Sequence, residues 1–375
     1  MEGWESNNVT LSPRGRGFYE RGCQEKYFTL DSAAGLRSAS SLCRTIPHAG
    51  ATTPAWETAG RPMTALPHRS VTPLAELARP TTIIDAPRLA KRLGVNLFLA
   101  SETFQHTGSF KFRAAYNLAS QVPNSLVITA SSGNFGQALA YACSLVGKSS
   151  IIVMPTTSAS IKVDAVQEYG GQVEFADVRV KSRAERVQEL AREHPEAYVA
   201  SAYDDRLVIE GNSSLGSELS ALDRPLACVV APVGGGGLTS GIITGIRRAG
   251  KPIQVFGAEP AIGNDAARSL RAGRIVRNDA EPQTIADGAR TLSLGEHNWA
   301  ILRYGLAGIV EVPEAKIAEA ARLLFTLANL KAEPTGALGV AALLTRPEVF
   351  RDQAVCCVVS GGNVDPAVYA SILAG

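Results

Sequence analysis

Apolar residues follow two alternating patterns along most of the chain. Short runs with few charges occur at LVITA (126–130), SSIIVMP (149–155), QVEFADV (172–178), ACVVAPV (227–233), IQVFGAE (253–259) and AVCCVVS (354–360). Their β-branched, near-continuous character predicts strands buried on both faces, as in parallel sheets. Between them lie FGQALAYACSLVG (135–147), SRAERVQELAREH (182–194) and PEAKIAEAARLLFTLANL (313–330). Apolar positions three and four apart in the last two predict amphipathic helices. Strand and helix in alternation predict an α/β fold with mostly parallel sheets and flanking helices. No repeat of fixed period is present.

Residues 1–70 break this pattern. They open without an apolar run of the signal-peptide kind, and no stretch of the chain is long enough to span a membrane, so a soluble, cytoplasmic protein is expected. Residues 32–70 are rich in Ser, Ala, Thr, Gly and Pro. Disordered tails are poor in aromatic residues. Trp4, Phe18, Tyr19, Tyr27, Phe28 and Trp56 therefore favour an extension or arm that packs on the body or on a neighbouring subunit.

Composition narrows the function classes. A chain of 375 residues with 45% hydrophobic positions has room for about two domains. Lys and Arg number 37 against 35 Asp and Glu, a net charge of +2, so the basic footprint of a nucleic-acid partner is lacking. The six cysteines form no CxxC pair and the five histidines no HxxxH cluster, which argues against a disulfide framework and a transition-metal centre. Glycine, at 35 residues, is placed unevenly.

Four segments carry candidate chemistry. Gly234, Gly235, Gly236 and Gly237 follow a buried-strand pattern and precede a helix starting near Leu238. Residues without side chains let successive N–H groups converge on an anion, with the helix N-terminus behind them. A merely tight strand-to-helix turn would have the same sequence. The GxxxxGK[ST] loop is absent, and no acidic partner stands at the dinucleotide spacing. A second loop, Ser131-Ser132-Gly133-Asn134, also joins a strand to a helix and suits a small carboxylate; simple N-capping by Ser132 or Asn134 is the alternative. Lys111 lies between Phe110 and Phe112 at a helix start. An amine in apolar surroundings can become nucleophilic and form Schiff bases, although lysines also snorkel from helices. Ser360, in SGGN, ends the last strand, where α/β sheets present ligand contacts. A buried lysine, a carboxylate loop, a phosphate loop and a polar strand end together suit a phosphorylated aldehyde cofactor, pyridoxal 5'-phosphate.

GSFKFR around Lys111, SSGNFG at 131–136, GGGG at 234–237 and SGGN at 360–363, in that order, resemble the fold type II pyridoxal-phosphate enzymes, in the threonine/serine dehydratase and serine racemase branch. The resemblance runs from about Val71 to Gly375. It implies a tryptophan synthase β-like fold of two domains, with residues 71–125 and 203–375 forming the large cofactor domain and 126–202 a smaller one. Lys111 would hold the cofactor and later take the α-proton, with Phe110 against the ring. Asn134 would bond the ring's phenolic oxygen. Ser131, Ser132 and the N–H groups of Gly133, Asn134 and Phe135 would hold the substrate carboxylate. Gly234 to Gly237 and the Leu238 N–H would bind the phosphate, Glu333 would line the cofactor face, and Ser360 would face the pyridine nitrogen.

A hydroxyl at Ser360 is a weaker charge partner than a carboxylate, and so favours prompt loss of a β-leaving group. The implied activity is an ammonia-lyase (dehydratase) turning threonine, serine or a bulkier β-hydroxy L-amino acid into a 2-oxo acid and ammonia. Racemisation remains open, with Ser132 as a second base, as do, less favoured, a β-replacement synthase and a non-catalytic binding protein on the same scaffold. Phe135 stands where relatives commonly carry His or Ala, so it would shape the side-chain pocket or simply pack its helix. Glu259, the Gly263 carbonyl and Asp265 resemble a site for Mg2+ or Ca2+, or a monovalent cation; a helix-capping pair of acids is the alternative. The resemblance further implies a homodimer or larger homo-oligomer. The chain ends 15 residues after Ser360, so the regulatory domain of biosynthetic threonine dehydratases is not expected.

Overall fold

Ten strands form two sheets among the residues that the computed structural model describes, which are 71–131, 133–158 and 160–375. The arm expected over 1–70 and the roles expected of Ser132 lie outside the described residues. The strands are β1 (Thr82–Asp85), β2 (Asn96–Ser101), β3 (Leu126–Ala130), β4 (Ser149–Pro155), β5 (Gln172–Ala176), β6 (Tyr198–Ala200), β7 (Cys228–Pro232), β8 (Gln254–Pro260), β9 (Gly308–Val312) and β10 (Ala354–Val359). One sheet has the order β1-β2-β10-β7-β8-β9 and the other β5-β4-β3-β6. Only the edge strand β1 runs antiparallel to its neighbour; all other pairs are parallel.

The uninterrupted apolar runs follow from burial on both faces. In the larger sheet Leu97, Leu99, Val230, Cys357 and Val359 point into one core with Leu338 and Phe350. Their neighbours Phe98, Val229, Cys356 and Val358 point into the other, against Ile242, Ile246 and Leu302. Both cores draw on helices laid over the sheet, the layering that parallel strands require. The smaller sheet is covered likewise. Val127, Ile152 and Met154 pack with the Lys111–Gln121 and Asn134–Leu145 helices, and Ile128, Ile151 and Val153 pack beneath the Arg183–Glu193 helix. That helix is started by Ser182 and Glu185, whose side chains bond each other's backbone N–H groups.

The run at 172–178 ends two residues early as a strand. The Asp177 carboxylate accepts the Arg179 N–H at 3.1 Å and bends the chain into a turn. Cys143, Cys228, Cys356 and Cys357 are buried, unbridged thiols, and burial raises Cys143 to about 12 and Cys228 to about 11. They act as small hydrophobes. Among the described residues no helix is long and apolar enough to cross a membrane.

A buried guanidinium ties the Lys111–Gln121 helix to the larger sheet. Arg113 bonds the Glu102 carboxylate with Nε at 2.8 Å and with a terminal nitrogen at 3.0 Å. It also donates to the Thr81 hydroxyl, the Arg79 carbonyl and Glu218. Arg113 and Glu102 are each 1% exposed, so removing one partner strands the other's charge in the interior. Arg113→Met is expected to lower unfolding stability by about 3–5 kcal/mol in a denaturant titration. A loss below about 1 kcal/mol would mean that Glu102 is satisfied without it.

Candidate active site

Parallel pairing brings three of the four candidate segments to one edge. Strand β10 lies between β2 and β7, all in the same direction. Their carboxyl ends therefore open side by side into the turn before Lys111, the SGGN segment and the tetraglycine. In the smaller sheet β3 stands where strand order reverses, between β4 and β6, which is where open α/β sheets bind ligands. The Ser131–Asn134 loop leaves from that point.

The tetraglycine turn leads into the Gly237–Arg248 helix. Among the described residues, the backbone N–H groups of Gly234 to Leu238 meet no acceptor, and no side chain caps the helix. Five free donors at the positive end of a twelve-residue helix form a ready anion site. The steric need for glycine is sharpest at two of the four positions. Gly236 has φ +97°, and a Cβ on Gly235 would stand 2.2 Å from the Tyr203 ring.

Lys111 begins its helix after a distorted turn in which Thr107 has φ +60°. Asn363 holds that turn by donating to the Thr107 carbonyl at 2.7 Å, while the Phe110 N–H bonds the Ser360 carbonyl at 3.0 Å. The Lys111 amine points inward and donates to the Ala202 carbonyl at 2.7 Å. The Phe110 and Phe135 ring centroids lie 5.0 and 5.5 Å from it. Burial lowers its pKa to about 8, with the Glu333 carboxylate pulling the other way.

Asn134 links the two sheets. Its amide donates to both Glu333 oxygens, at 2.8 and 3.1 Å, and its carbonyl oxygen accepts from Asn363 at 2.8 Å. Glu333 is 3% exposed; burial first, then the Asp287 charge, raises it to about 8. The N-capping alternative fails for Asn134, which lies inside the Asn134–Leu145 helix after an N-cap at Gly133 without a side-chain bond. Ser131 Oγ instead accepts the Gly136 N–H at 3.0 Å and the Gly133 N–H at 3.4 Å. Phe135, 2% exposed, both packs in the core with Ala138 and Ile152 and faces the amine.

Glu259 and Asp265 are also close together. Glu259 accepts the Ala266 and Ala267 N–H groups, as the capping alternative anticipates. Asp265 Oδ1 accepts from Asn278 at 2.9 Å, while Oδ2 is buried without a partner. Burial raises both acids, Glu259 to about 8 and Asp265 to about 6. One unused oxygen suits a hard cation, yet no group of three or more His, Cys, Asp or Glu is poised for a metal among the described residues.

Several contacts have no signal in the sequence: the Ala202 carbonyl, the Tyr203 ring, and Asn298, whose amide bonds the Gly235 and Tyr203 carbonyls at 2.8 and 3.0 Å. Asn363 stands in SGGN, where an amide beside two glycines at a strand end could have flagged it.

The residues present suit pyridoxal phosphate: five free N–H groups for its phosphate, an inward amine for its aldehyde and a serine at the end of β10 for its ring nitrogen. Comparison with known proteins agrees. The profile described as "Pyridoxal-phosphate dependent enzyme" matches residues 74–361. The chain is 38% identical over 306 residues to the L-threo-3-hydroxyaspartate ammonia-lyase of a Pseudomonas species, covering 80% of this chain and 95% of that protein. It is 36% identical over 298 residues to human serine racemase, covering 76% and 86%. The crystal structure of the threonine deaminase of T.th. superposes with a TM-score of 0.74 at 39% identity, covering 78% of this chain and 95% of that one. The chain belongs to the pyridoxal-phosphate dependent enzymes, with pyridoxal phosphate as its cofactor, and is an ammonia-lyase acting on a β-hydroxy amino acid.

Proposed function

We propose that the substrate is 3-hydroxyaspartate and that Lys111 is the group that takes its α-proton. Three relatives support the substrate: the Pseudomonas enzyme, a second L-threo-3-hydroxyaspartate ammonia-lyase at 35% identity from Saccharomyces cerevisiae, and the beta-hydroxyaspartate dehydratase of Paracoccus denitrificans at 34%. The observation that carries the catalytic assignment is the Lys111 amine itself, turned inward and bonded to a single main-chain carbonyl.

Bound pyridoxal phosphate supplies an electron sink for the pair left on Cα when its proton departs. The chain's residues do the rest. The N–H groups of Gly234 to Leu238 and the helix behind them hold the phosphate dianion. The Ser131 hydroxyl and the N–H groups of Gly133 to Phe135 orient the substrate α-carboxylate. Lys111, whose amine is far less basic than an exposed lysine, is neutral often enough near pH 8 to take that proton. Glu333, kept largely protonated at neutral pH by burial, and Asn134 form a polar wall that adds no full charge. Ser360 gives the ring nitrogen a neutral partner. Loss of the β-hydroxyl then competes well with reprotonation at Cα, and the enamine released hydrolyses to oxaloacetate and ammonia. D-amino acid forming faster than oxo acid, by chiral analysis, would favour the racemase reading instead.

Four outcomes are expected. Lys111→Ala abolishes oxo-acid release while the melting temperature stays within about 5 °C, because no core contact is lost; turnover near the wild-type rate would remove Lys111 from the chemistry. In the cofactor-free protein, capture of added pyridoxal phosphate, followed by absorbance, speeds up as pH rises, with a midpoint near 8, since only the neutral amine attacks the aldehyde. A midpoint near 10 would show the amine to be solvated. Across a panel of 3-hydroxyaspartate, threonine, serine and phenylserine, hydroxyaspartate gives the highest kcat/KM, and threonine or serine ahead would overturn that assignment. In the same panel Phe135→Leu changes the ratio between hydroxyaspartate and phenylserine at least threefold; an equal effect on all four would leave Phe135 only a packing role.

A further inference from the structure

Outside the groups assigned so far, a short charged pair joins the two sheets, Lys162 with Asp287. Lys162 lies on the Ser160–Glu168 helix, which follows β4 of the smaller sheet. Its amine bonds Asp287 Oδ2 at 2.9 Å, across 125 positions of sequence. Asp287 opens the short 3-10 turn Asp287–Ala289, between β8 and β9 of the larger sheet.

That turn is part of the wall around the phosphate loop. The Gly288 N–H bonds the Thr335 hydroxyl at 2.9 Å, two residues beyond Glu333. The Gly288 carbonyl lies so close to Gly234 that a Cβ there would be 2.9 Å from it. A second, longer pair joins the same two regions, Arg183 from the helix above the smaller sheet to Glu281 at 3.6 Å. The layer that carries the Ser131–Asn134 loop is thus tied by charge to the turn that walls the tetraglycine, and both partner charges act on Glu333, Asp287 raising its pKa and Lys162 lowering it.

We propose that Lys162 and Asp287 are positioning residues: their ion pair holds the carboxylate loop at working distance from the phosphate loop, so it strengthens substrate binding and takes no part in bond making. The inference rests on the site assignment above. Side-chain exposures of 34% and 42% place the pair in the weak, salt-sensitive class of ion pairs.

The test uses the holoenzyme and the variants Lys162→Gln, Asp287→Asn, their combination, and the swap Lys162→Asp with Asp287→Lys. Each single variant is expected to raise KM for the best substrate about three- to fivefold, the range that an exposed pair supplies, with kcat within about twofold. The double variant should be no worse than either single one, and the swap should recover most of the loss. Raising KCl from about 0.05 to about 0.5 M should raise KM for the wild type and leave Lys162→Gln flat. Hydrogen exchange in the Ser160–Glu168 helix reports the tie without turnover, and should quicken by the same factor in both single variants. Unchanged KM and exchange in the single variants, effects that add in the double variant, or a fall in kcat at constant KM would each overturn the proposal. If the wild type released no oxo acid from any substrate, the site assignment would fail on its own, and the exchange data alone would decide whether the tie exists.

Discussion

An ammonium group can be buried only if something repays the lost hydration, and at Lys111 very little does. One main-chain carbonyl accepts from it and two aromatic rings stand nearby. The imbalance is resolved by making the proton easier to lose, which is the property that the proposed role of nucleophile and base needs. The rest of the local structure holds the amine there. The Arg113 network anchors the first turn of the same helix to the larger sheet. The turn before it is fixed by Asn363 and by the Phe110 bond to the end of β10.

Glu333 faces the same problem with the opposite sign. Burial favours its neutral form, so acid and amine can stand in one interior without a permanent buried ion pair, an arrangement whose desolvation cost often exceeds its attraction. Both groups change charge near pH 8. Asn134 joins them to the second sheet through bonds to Glu333 and Asn363, so the loop proposed to hold the substrate carboxylate is registered directly against the wall of the cofactor site.

Much of this was legible in the sequence because strand ends announce themselves. An apolar run that stops at SSGN, GGGG or SGGN marks both the end of a buried strand and the start of a loop, and in a parallel sheet that is where ligands are met. The order β2-β10-β7 was not legible. It depends on pairing residues 96–101 with 354–359, and no local pattern encodes a contact over that separation. Strands β1, β2, β6 and β9 also gave no clear signal. Two have four residues or fewer, and only β2 among them is buried almost throughout. Tyr203 and the Ala202 carbonyl act through ring packing and backbone, which residue identity does not reveal, and Asn298 acts through a side-chain amide that meets its partners only across 63 and 95 positions of sequence. Lys162 and Asp287 read as ordinary surface charges until the fold sets them 2.9 Å apart.

The same geometry bears on why elimination should prevail over racemisation. Reprotonation at Cα gains when the carbanion lives long, and a carboxylate beside the ring nitrogen would prolong it. In the proposed site Ser360 would offer a hydroxyl there, and the nearby buried acid, Glu333, is largely uncharged at neutral pH. Neither group supports a long-lived charge, so the electron pair is better spent expelling the β-hydroxyl. The proposed substrate, 3-hydroxyaspartate, carries a second carboxylate on Cβ. It adds a negative charge that must be held within reach of the loop following β3, and it therefore places more weight on how firmly the two sheets are held together.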